Sequence, residues 1–217
     1  PFKLILNAHF SSINESLQAT LVAMKMAPSA CELMDKTILD CTKDNLKQQK
    51  NRFFVEGDPQ AILMVEFRGD SREAAQQQAQ ALELQLKSSN LGYAYPIVVG
   101  DDCARVWELR KAGLGLLANI PGDAKAVACI EDTAVAVEDL PLYVDAFTAL
   151  MKSYKQKAVY YAHAGAGELH LRPILNLKSS ADVRLFRSIS EAAAKLVKSF
   201  QGALSGEHGD GRVRSEF

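Results

Sequence analysis

Two strand-like segments around a short run of small residues constrain the fold more than any other feature of the sequence. Residues 164–167 read Ala-Gly-Ala-Gly, with His163 just before them and His170 shortly after them. If this run is a hairpin turn, the flanking strands pair and the two imidazoles face each other, with Cβ atoms roughly 5 Å apart. The sequence therefore predicts a β-hairpin that carries a histidine pair.

A facing pair of imidazoles is a suitable start for a metal site. Glu207 lies in a second histidine-containing segment, residues 205–212 (Ser-Gly-Glu-His-Gly-Asp-Gly-Arg), and it can supply a carboxylate. Two imidazoles and one carboxylate suit Zn²⁺ or Mn²⁺, with a position left for a substrate oxygen. We therefore predict a metal site formed by His163, His170 and Glu207.

The composition is that of a globular protein. With 217 residues, 48% of them hydrophobic, and a net charge of −1, the chain can form a sizeable core and has no electrostatic attraction to nucleic acid. No apolar run approaches the roughly 20 residues that a membrane span needs. The four cysteines lack CxxC or metal-site spacing. This predicts reduced, structural thiols, with Cys129 buried, and favours a cytoplasmic location; peripheral membrane association is the alternative.

Strand-like runs alternate with amphipathic helical segments along the whole chain. Strands are predicted at residues 2–6, 30–34, 61–67, 93–99, 126–130, 158–163 and 168–175. Helices are predicted at residues 14–26, 70–86, 101–110, 139–154 and 180–200, with a short helix or loop at 36–45. This order predicts an α+β fold of duplicated ferredoxin-like units that form one largely antiparallel sheet, covered by helices on one face. No low-complexity linker divides residues 1–217, so we expect one domain.

The two histidine-containing segments resemble the C-terminal domain of FAD-linked oxidases of the vanillyl-alcohol-oxidase type. The matching elements are His163, the turn at 164–167, Leu-His-Leu at 169–171 and Glu-His-Gly at 207–209. This family includes D-lactate dehydrogenases, glycolate oxidase subunits and D-2-hydroxyglutarate dehydrogenases. Residues 112–117 and 205–212 are most similar to its long, iron–sulfur-containing members.

The resemblance implies the substrate- and metal-binding cap domain of an FAD-dependent dehydrogenase. Such an enzyme oxidises a D-2-hydroxy acid to the 2-oxo acid by hydride transfer to the flavin. Position in the sequence alone does not separate the roles of Glu207 and His208; the resemblance makes Glu207 a metal ligand and His208 the general base. Arg110 would bind the substrate carboxylate, and Lys125 would be a second contact to it.

Two further residues have alternative interpretations. Arg172 is predicted on the same strand face as His170, at a position where some relatives carry Asn. A buried guanidinium is costly to leave unpaired, so Arg172 would bind a distal substrate carboxylate; the alternative is a rim arginine facing a flavin domain. Glu168 is either a partner of the metal site or a solvated rim residue. We expect His9, in a strand-to-helix turn, and Trp107, in the core, to be structural.

Neither the flavin-binding domain of the family nor its iron–sulfur portion is recognisable in these residues, and both ends look cut. We therefore expect a fragment that is inactive alone. FAD would be bound mainly by the flavin-binding domain of the same protein, with a small 2-hydroxy acid as substrate, an unidentified electron acceptor, and any iron–sulfur cluster elsewhere in the full-length protein. Two alternatives stay open: a metal-dependent hydrolase that uses the His/His/Glu site, and a non-catalytic ferredoxin-like binding module with structural histidines.

Overall fold

The computed structural model describes residues 2–217, which form two compact units. The N-terminal unit comprises residues 2–116 together with 163–165, and the C-terminal unit comprises residues 117–162 and 166–217. Each unit combines antiparallel strands with α-helices. The predicted α+β class is confirmed.

The N-terminal unit has the strand order of a ferredoxin-like fold. Its strands are β1 (Phe2–Phe10), β2 (Ala30–Asp35), β3 (Ala61–Gly69) and β4 (Ile97–Val99). Its helices are α1 (Ile13–Met24), α2 (Lys36–Lys43), α3 (Leu46–Gln49), α4 (Arg72–Ser88) and α5 (Asp102–Leu116). The strands pair antiparallel in the order β4-β1-β3-β2, with α1 between β1 and β2 and α4 between β3 and β4.

Short polar side chains define where the helices of this unit begin. Ser12 accepts a hydrogen bond from the Glu15 backbone N–H at the start of α1, and Ser71 accepts one from Ala74 at the start of α4. Each bond satisfies a donor that the first helical turn cannot pair internally. The helix starts predicted near residues 14 and 70 are therefore confirmed to within two residues.

Side-chain alternation along β2 and β3 gives the N-terminal sheet two different faces. Cys31 is buried and its thiol interacts with Thr20 of α1. The adjacent Glu32 points to the opposite face, because successive side chains of a strand alternate. Helix α5 packs against that second face, where Trp107 Nε1 donates to Glu66 Oε2 at 2.9 Å. In this unit the helical cover therefore extends to both faces of the sheet.

The C-terminal unit repeats the same topology, except that its fourth strand is shortened to a single bridge. Its strands are β5 (Lys125–Ala126), β6 (Ile130–Ala134), β7 (Ala158–His163) and β8 (Glu168–Leu175), and its helices are α6 (Leu140–Ser153), α7 (Ser180–Ser199) and α8 (Gly211–Arg214). Strand β8 neighbours β7 and also pairs with β5 and β6. The place of a fourth ferredoxin strand is taken by a single bridge between Ala134 and Ala203. This supports the predicted duplication, and the hairpin strands 158–163 and 168–175 are confirmed at their predicted bounds.

The strand predicted at residues 126–130 is wrong. β5 ends at Ala126, opposite Ile174, and β6 begins only at Ile130, opposite Leu171. Between them the Val127 N–H donates to the carbonyl of Pro173. The chain thus pairs with β8 in two short stretches, and the second continues into polar residues that hydrophobicity did not mark as a strand.

The strand predicted at residues 93–99 is shorter than expected. Only residues 97–99 form β4, while Ala94 makes an isolated bridge with His9. Pro96 lies between Ala94 and β4. Because proline has no backbone N–H, it cannot donate to a neighbouring strand, and only its carbonyl takes part, accepting from the Asn7 N–H. The missing donor accounts for the interruption.

The state of the cysteines agrees with the sequence-based expectation. Cys129 is buried. All four cysteines lie within the described residues, and all four are free thiols. Within residues 2–217, none of the helices is both long enough and apolar enough to cross a membrane.

His9 is buried inside β1, not in the turn that follows it, so its predicted position was wrong. Its Nδ1 donates to the Asn7 carbonyl at 2.9 Å, and its Nε2 accepts from the Glu56 N–H at 3.1 Å. Accepting that bond requires a neutral ring. Burial lowers the pKa of His9 from its usual 6.5, which agrees with a neutral ring in the folded chain.

We expect the free energy of unfolding to decrease as the pH falls below about 6.5, because the unfolded chain then binds a proton at His9 that the folded chain resists. The stability that comes from keeping His9 neutral in the folded chain is fully present above that pH. Replacing His9→Gln should flatten this dependence, measured by urea unfolding at about pH 5.5 and 7.5. The same pH dependence in variant and wild type would contradict the assignment to His9.

Candidate functional site

Titratable residues of three segments meet in the C-terminal unit. β6, β8 and the bend at residues 205–208 contribute Glu131, Asp132, His170, Arg172, Glu207 and His208. Potential ligand atoms of Glu131, His170 and His208 all lie within 4.8 Å of one another. Those of Asp132, Glu207 and His208 do so as well. The unit therefore concentrates imidazole and carboxylate groups in one small volume.

The tautomer of His170 is set by the backbone of β6. Its Nδ1 lies 2.8 Å from the Glu131 carbonyl oxygen, which can only accept, so Nδ1 carries the proton. In the neutral ring Nε2 then carries the lone pair, and it lies 3.6 Å from Glu207 Oε1. Two electron-rich atoms at this separation are stabilised by a cation near both. This donor set fits a divalent metal ion, with the Glu131 carbonyl orienting the ligand from behind.

Glu207 and His208 both reach His170, although they are adjacent in the sequence. The His208 ring stacks on that of His170, with centroids 5.4 Å apart and planes 10° apart. His208 Nε2 lies 2.9 Å from Glu207 Oε1. The sequence allowed this because glycines on both sides permit an irregular backbone, and Gly209 indeed has a positive φ of 75°.

The bend that carries these two residues is anchored on Asp132, which is fully buried in β6. Its carboxylate accepts hydrogen bonds from Ser205 Oγ at 2.6 Å and from the backbone N–H groups of Glu207 and His208 at 3.2 and 3.1 Å. Burial opposes ionisation, but these donors outweigh it, and the pKa of Asp132 lies below its usual value. The sequence-based reasoning missed this residue. An acid directly after the apolar run that ends at Ile130 was the available signal.

Close packing at Gly206 also restricts the bend. A Cβ at this position would overlap the Glu168 carboxylate and come within 3.0 Å of the Ala134 side chain. The Gly206 N–H donates to the Asp132 carbonyl at 2.7 Å. Glu168 is only 5% exposed, so its interpretation as a solvated rim residue is wrong. The bend is thus held by both hydrogen bonds and steric contact.

Asp132→Asn should loosen this bend. An amide has only one oxygen acceptor and no charge, so we expect a loss of about 1.5–3 kcal/mol in unfolding free energy. Amide hydrogen exchange at Glu207 and His208 should become faster. Asp139→Asn is a matched control, because Asp139 makes no capping bond at the start of α6 and should change stability by less than about 0.5 kcal/mol. Unchanged exchange at both amides in the Asp132 variant would contradict the anchoring role.

The N-terminal unit contains a second group of functional candidates, in an open pocket of about 390 Å³. Arg110 Nη2 donates to Glu32 Oε2 at 3.0 Å, and His163 Nδ1 lies 2.8 Å from the same oxygen. The Arg110 side chain is only 11% exposed, so it does not lie on a solvated helix face. Trp107 is half-buried and lines the pocket, not the core. Sequence-based reasoning missed Glu32, whose signal was a charge within the apolar run at 30–34.

Lys125 and Arg172 both have partners within the C-terminal unit. Lys125 lies in β5 and its Nζ donates to the carbonyls of Ala118 and Ile120. Arg172 lies in β8 and forms an ion pair with Glu131; both side chains are 15% exposed. The premise that Arg172 would lack a partner in the chain was therefore wrong. The substrate contacts predicted for Lys125 and Arg172 stay predictions.

The sequence matches the family model for the C-terminal domain of FAD linked oxidases over residues 2–217. The chain belongs to this family. The resemblance first noted at the two histidine-containing segments is thereby confirmed for almost the whole chain, and the family is FAD-linked by definition.

Sequence relatives agree with this assignment, and a solved structure shows a similar fold. The chain is similar to D-2-hydroxyglutarate dehydrogenases of Pseudomonas putida, at 31% identity over 223 residues, and Haemophilus influenzae, at 30% over 227 residues. Each match covers all of this chain and 22% of the relative, so the chain spans about a fifth of their length. The fold is similar to 4-ethylphenol oxidase from Gulosibacter chungangensis, with a TM-score of 0.59 and 12% identity over 95% of this chain and 46% of that one.

Proposed function

We propose that this chain is the substrate- and metal-binding domain of an FAD-dependent dehydrogenase that oxidises a D-2-hydroxy acid to the 2-oxo acid. Family membership and the relatives named D-2-hydroxyglutarate dehydrogenase support the reaction class. The observation that carries the proposal is the approach of His170 Nε2 to Glu207 Oε1 at 3.6 Å, with His208 stacked beside them. D-2-Hydroxyglutarate and D-lactate are the two substrate types to compare.

The proposed metal ligands are His163, His170 and Glu207, and the proposed ion is Zn²⁺ or Mn²⁺. Both histidines donate from Nδ1 to an oxygen acceptor, a carboxylate for His163 and a carbonyl for His170, which leaves the Nε2 lone pair as the metal-binding atom. When bound, the ion would supply Lewis acidity that makes a substrate hydroxyl easier to deprotonate.

His208 is the proposed general base. The imidazole would take the hydroxyl proton of the substrate at the ring nitrogen that carries no proton. Its Nδ1 lies 3.4 Å from Asp132 Oδ1 and 3.5 Å from Glu131 Oε1. The ring thus lies beside two carboxylates of β6.

The remaining proposed roles concern substrate carboxylates and the flavin. Arg110 would bind the carboxylate next to the reacting carbon, since a planar guanidinium matches two carboxylate oxygens, and Lys125 would assist. Arg172 would recognise a second, distal carboxylate. A flavin-binding domain of the same protein would hold FAD, which would supply the hydride acceptor, and any iron–sulfur cluster would lie outside this chain. The four free cysteines support a cytoplasmic location.

Metal content tests the ligand set. The wild-type protein should hold one divalent transition-metal ion, and His170→Ala should lose it, because the variant removes one of three ligands. Elemental analysis of both proteins after dialysis against metal-free, non-chelating buffer measures this. Equal metal content in the two proteins would refute the site.

Turnover tests the separation of base and ligand. In the intact enzyme with its flavin domain, His208→Ala should lower kcat by roughly 10²–10⁴ while the metal content stays near that of wild type. Steady-state kinetics with D-2-hydroxyglutarate and elemental analysis of the same preparation provide the two readouts. If metal is lost together with activity, His208 is a ligand and the proposed division of roles is incorrect.

A further inference from the structure

One carboxylate of the N-terminal unit contacts two residues with separately proposed roles. Glu32 Oε1 and Oε2 lie 2.9 and 2.8 Å from Nδ1 of His163, the proposed metal ligand. Glu32 Oε2 also accepts from Nη2 of Arg110, the proposed carboxylate-binding residue, at 3.0 Å. The same side chain thus links a proposed metal ligand to a proposed substrate-binding residue.

The position of Glu32 is unusual for an acid. It lies in β2 between Cys31 and Leu33, which are both buried, and its own side chain is only 17% exposed. A carboxylate in such a place loses hydration, which is unfavourable unless cations or N–H donors replace the water. Arg110 and His163 provide that replacement. Arg110 and His163 are therefore the groups that stabilise a carboxylate at this position.

The contact with His163 determines which nitrogen can bind a metal. An ionised carboxylate only accepts, so His163 Nδ1 carries the proton and Nε2 the lone pair. A carboxylate behind an imidazole also fixes the ring plane and strengthens electron donation towards a metal ion. Glu32 therefore both orients this ligand and sets its tautomer.

The contact with Arg110 orients the guanidinium. The group carries five N–H donors in one plane, so a bond at Nη2 fixes that plane without using its capacity for a second carboxylate. The negative charge of Glu32 also offsets the cost of holding a cation that is 11% exposed.

We propose that Glu32 is a positioning residue that couples the metal ligand His163 to the substrate-binding Arg110. This inference rests on the proposed function. Glu32 itself is assigned contact with neither metal nor substrate, and it acts through the geometry of its two partners. Loss of its charge should therefore weaken metal binding and substrate binding together.

Glu66 provides a matched control in the same pocket. It is an acid on the neighbouring strand β3 and is 3% exposed as a residue. Its carboxylate accepts from Ser29, Arg68 and Trp107, so it is as thoroughly hydrogen-bonded as Glu32 but by other residues. Removing its charge perturbs the pocket to a similar degree without touching the bond to His163.

The test compares Glu32→Gln with Glu66→Gln in the intact protein. Zn²⁺ affinity is measured by competition with a chelating dye, and kcat and KM are measured with D-2-hydroxyglutarate. Glu32→Gln should weaken Zn²⁺ binding roughly 10- to 100-fold and raise KM, whereas Glu66→Gln should keep the Zn²⁺ affinity of wild type. If Glu32→Gln fails to fold, Glu32→Asp, which keeps the charge but shortens the reach, should show the same two effects.

A double variant separates the two contacts of Glu32. In an Arg110→Ala background, which keeps all three proposed metal ligands, Glu32→Gln should weaken Zn²⁺ binding as much as it does in the wild type, because its effect on the metal acts through His163; unchanged Zn²⁺ affinity there would overturn the proposal. Equal losses in the Glu32 and Glu66 variants would overturn it as well. A wild-type protein that takes up no Zn²⁺ would refute the metal site and this role together. Wild-type affinity in Glu32→Gln, beside a metal-free His170→Ala, would refute the role of Glu32 alone.

Discussion

The buried carboxylate of Asp132 is the interaction on which the geometry of the C-terminal site depends. Glu207 and His208 lie in a bend with no regular secondary structure, and such a segment has few bonds of its own to define its conformation. Asp132 replaces them with three hydrogen bonds, two of which are to the backbone N–H groups of Glu207 and His208. A backbone held in this way presents two adjacent side chains to one ring, which a regular strand would send to opposite faces.

The rings of His163 and His170 are both oriented by a hydrogen bond from Nδ1 to an oxygen atom, but the acceptors differ. His170 is oriented by a main-chain carbonyl of β6, and His163 by the Glu32 side chain. A main-chain acceptor remains whatever side chain occupies that position, whereas a carboxylate acceptor can be removed by one substitution. The orientation of His163 should therefore be the more sensitive of the two to mutation.

The duplicated topology explains where the site can form. In the N-terminal unit the fourth strand is present as β4, and it pairs with β1 over three residues. In the C-terminal unit its counterpart is a single bridge at Ala203, after which the chain leaves the sheet. The released segment is the bend at residues 205–208, which lies beside β6 because the bridge to Ala134 starts it there. The shortened strand thus leaves the proposed ligand Glu207 and the proposed base His208 beside β6.

The sequence by itself determined the hairpin, the helix starts and the identity of the residues proposed as metal ligands and base. Each of these depends on a local pattern: a turn of small residues, a capping side chain or a histidine-containing motif. The sequence did not reveal β6, whose polar residues Glu131 and Asp132 interrupt the hydrophobic run. Only the tertiary structure decided which groups orient the site. Glu207 is 75 residues from Asp132, and His163 is 131 residues from Glu32. Hydrogen bonds across such separations depend on strand register and burial, and neither leaves a periodic signal in the sequence.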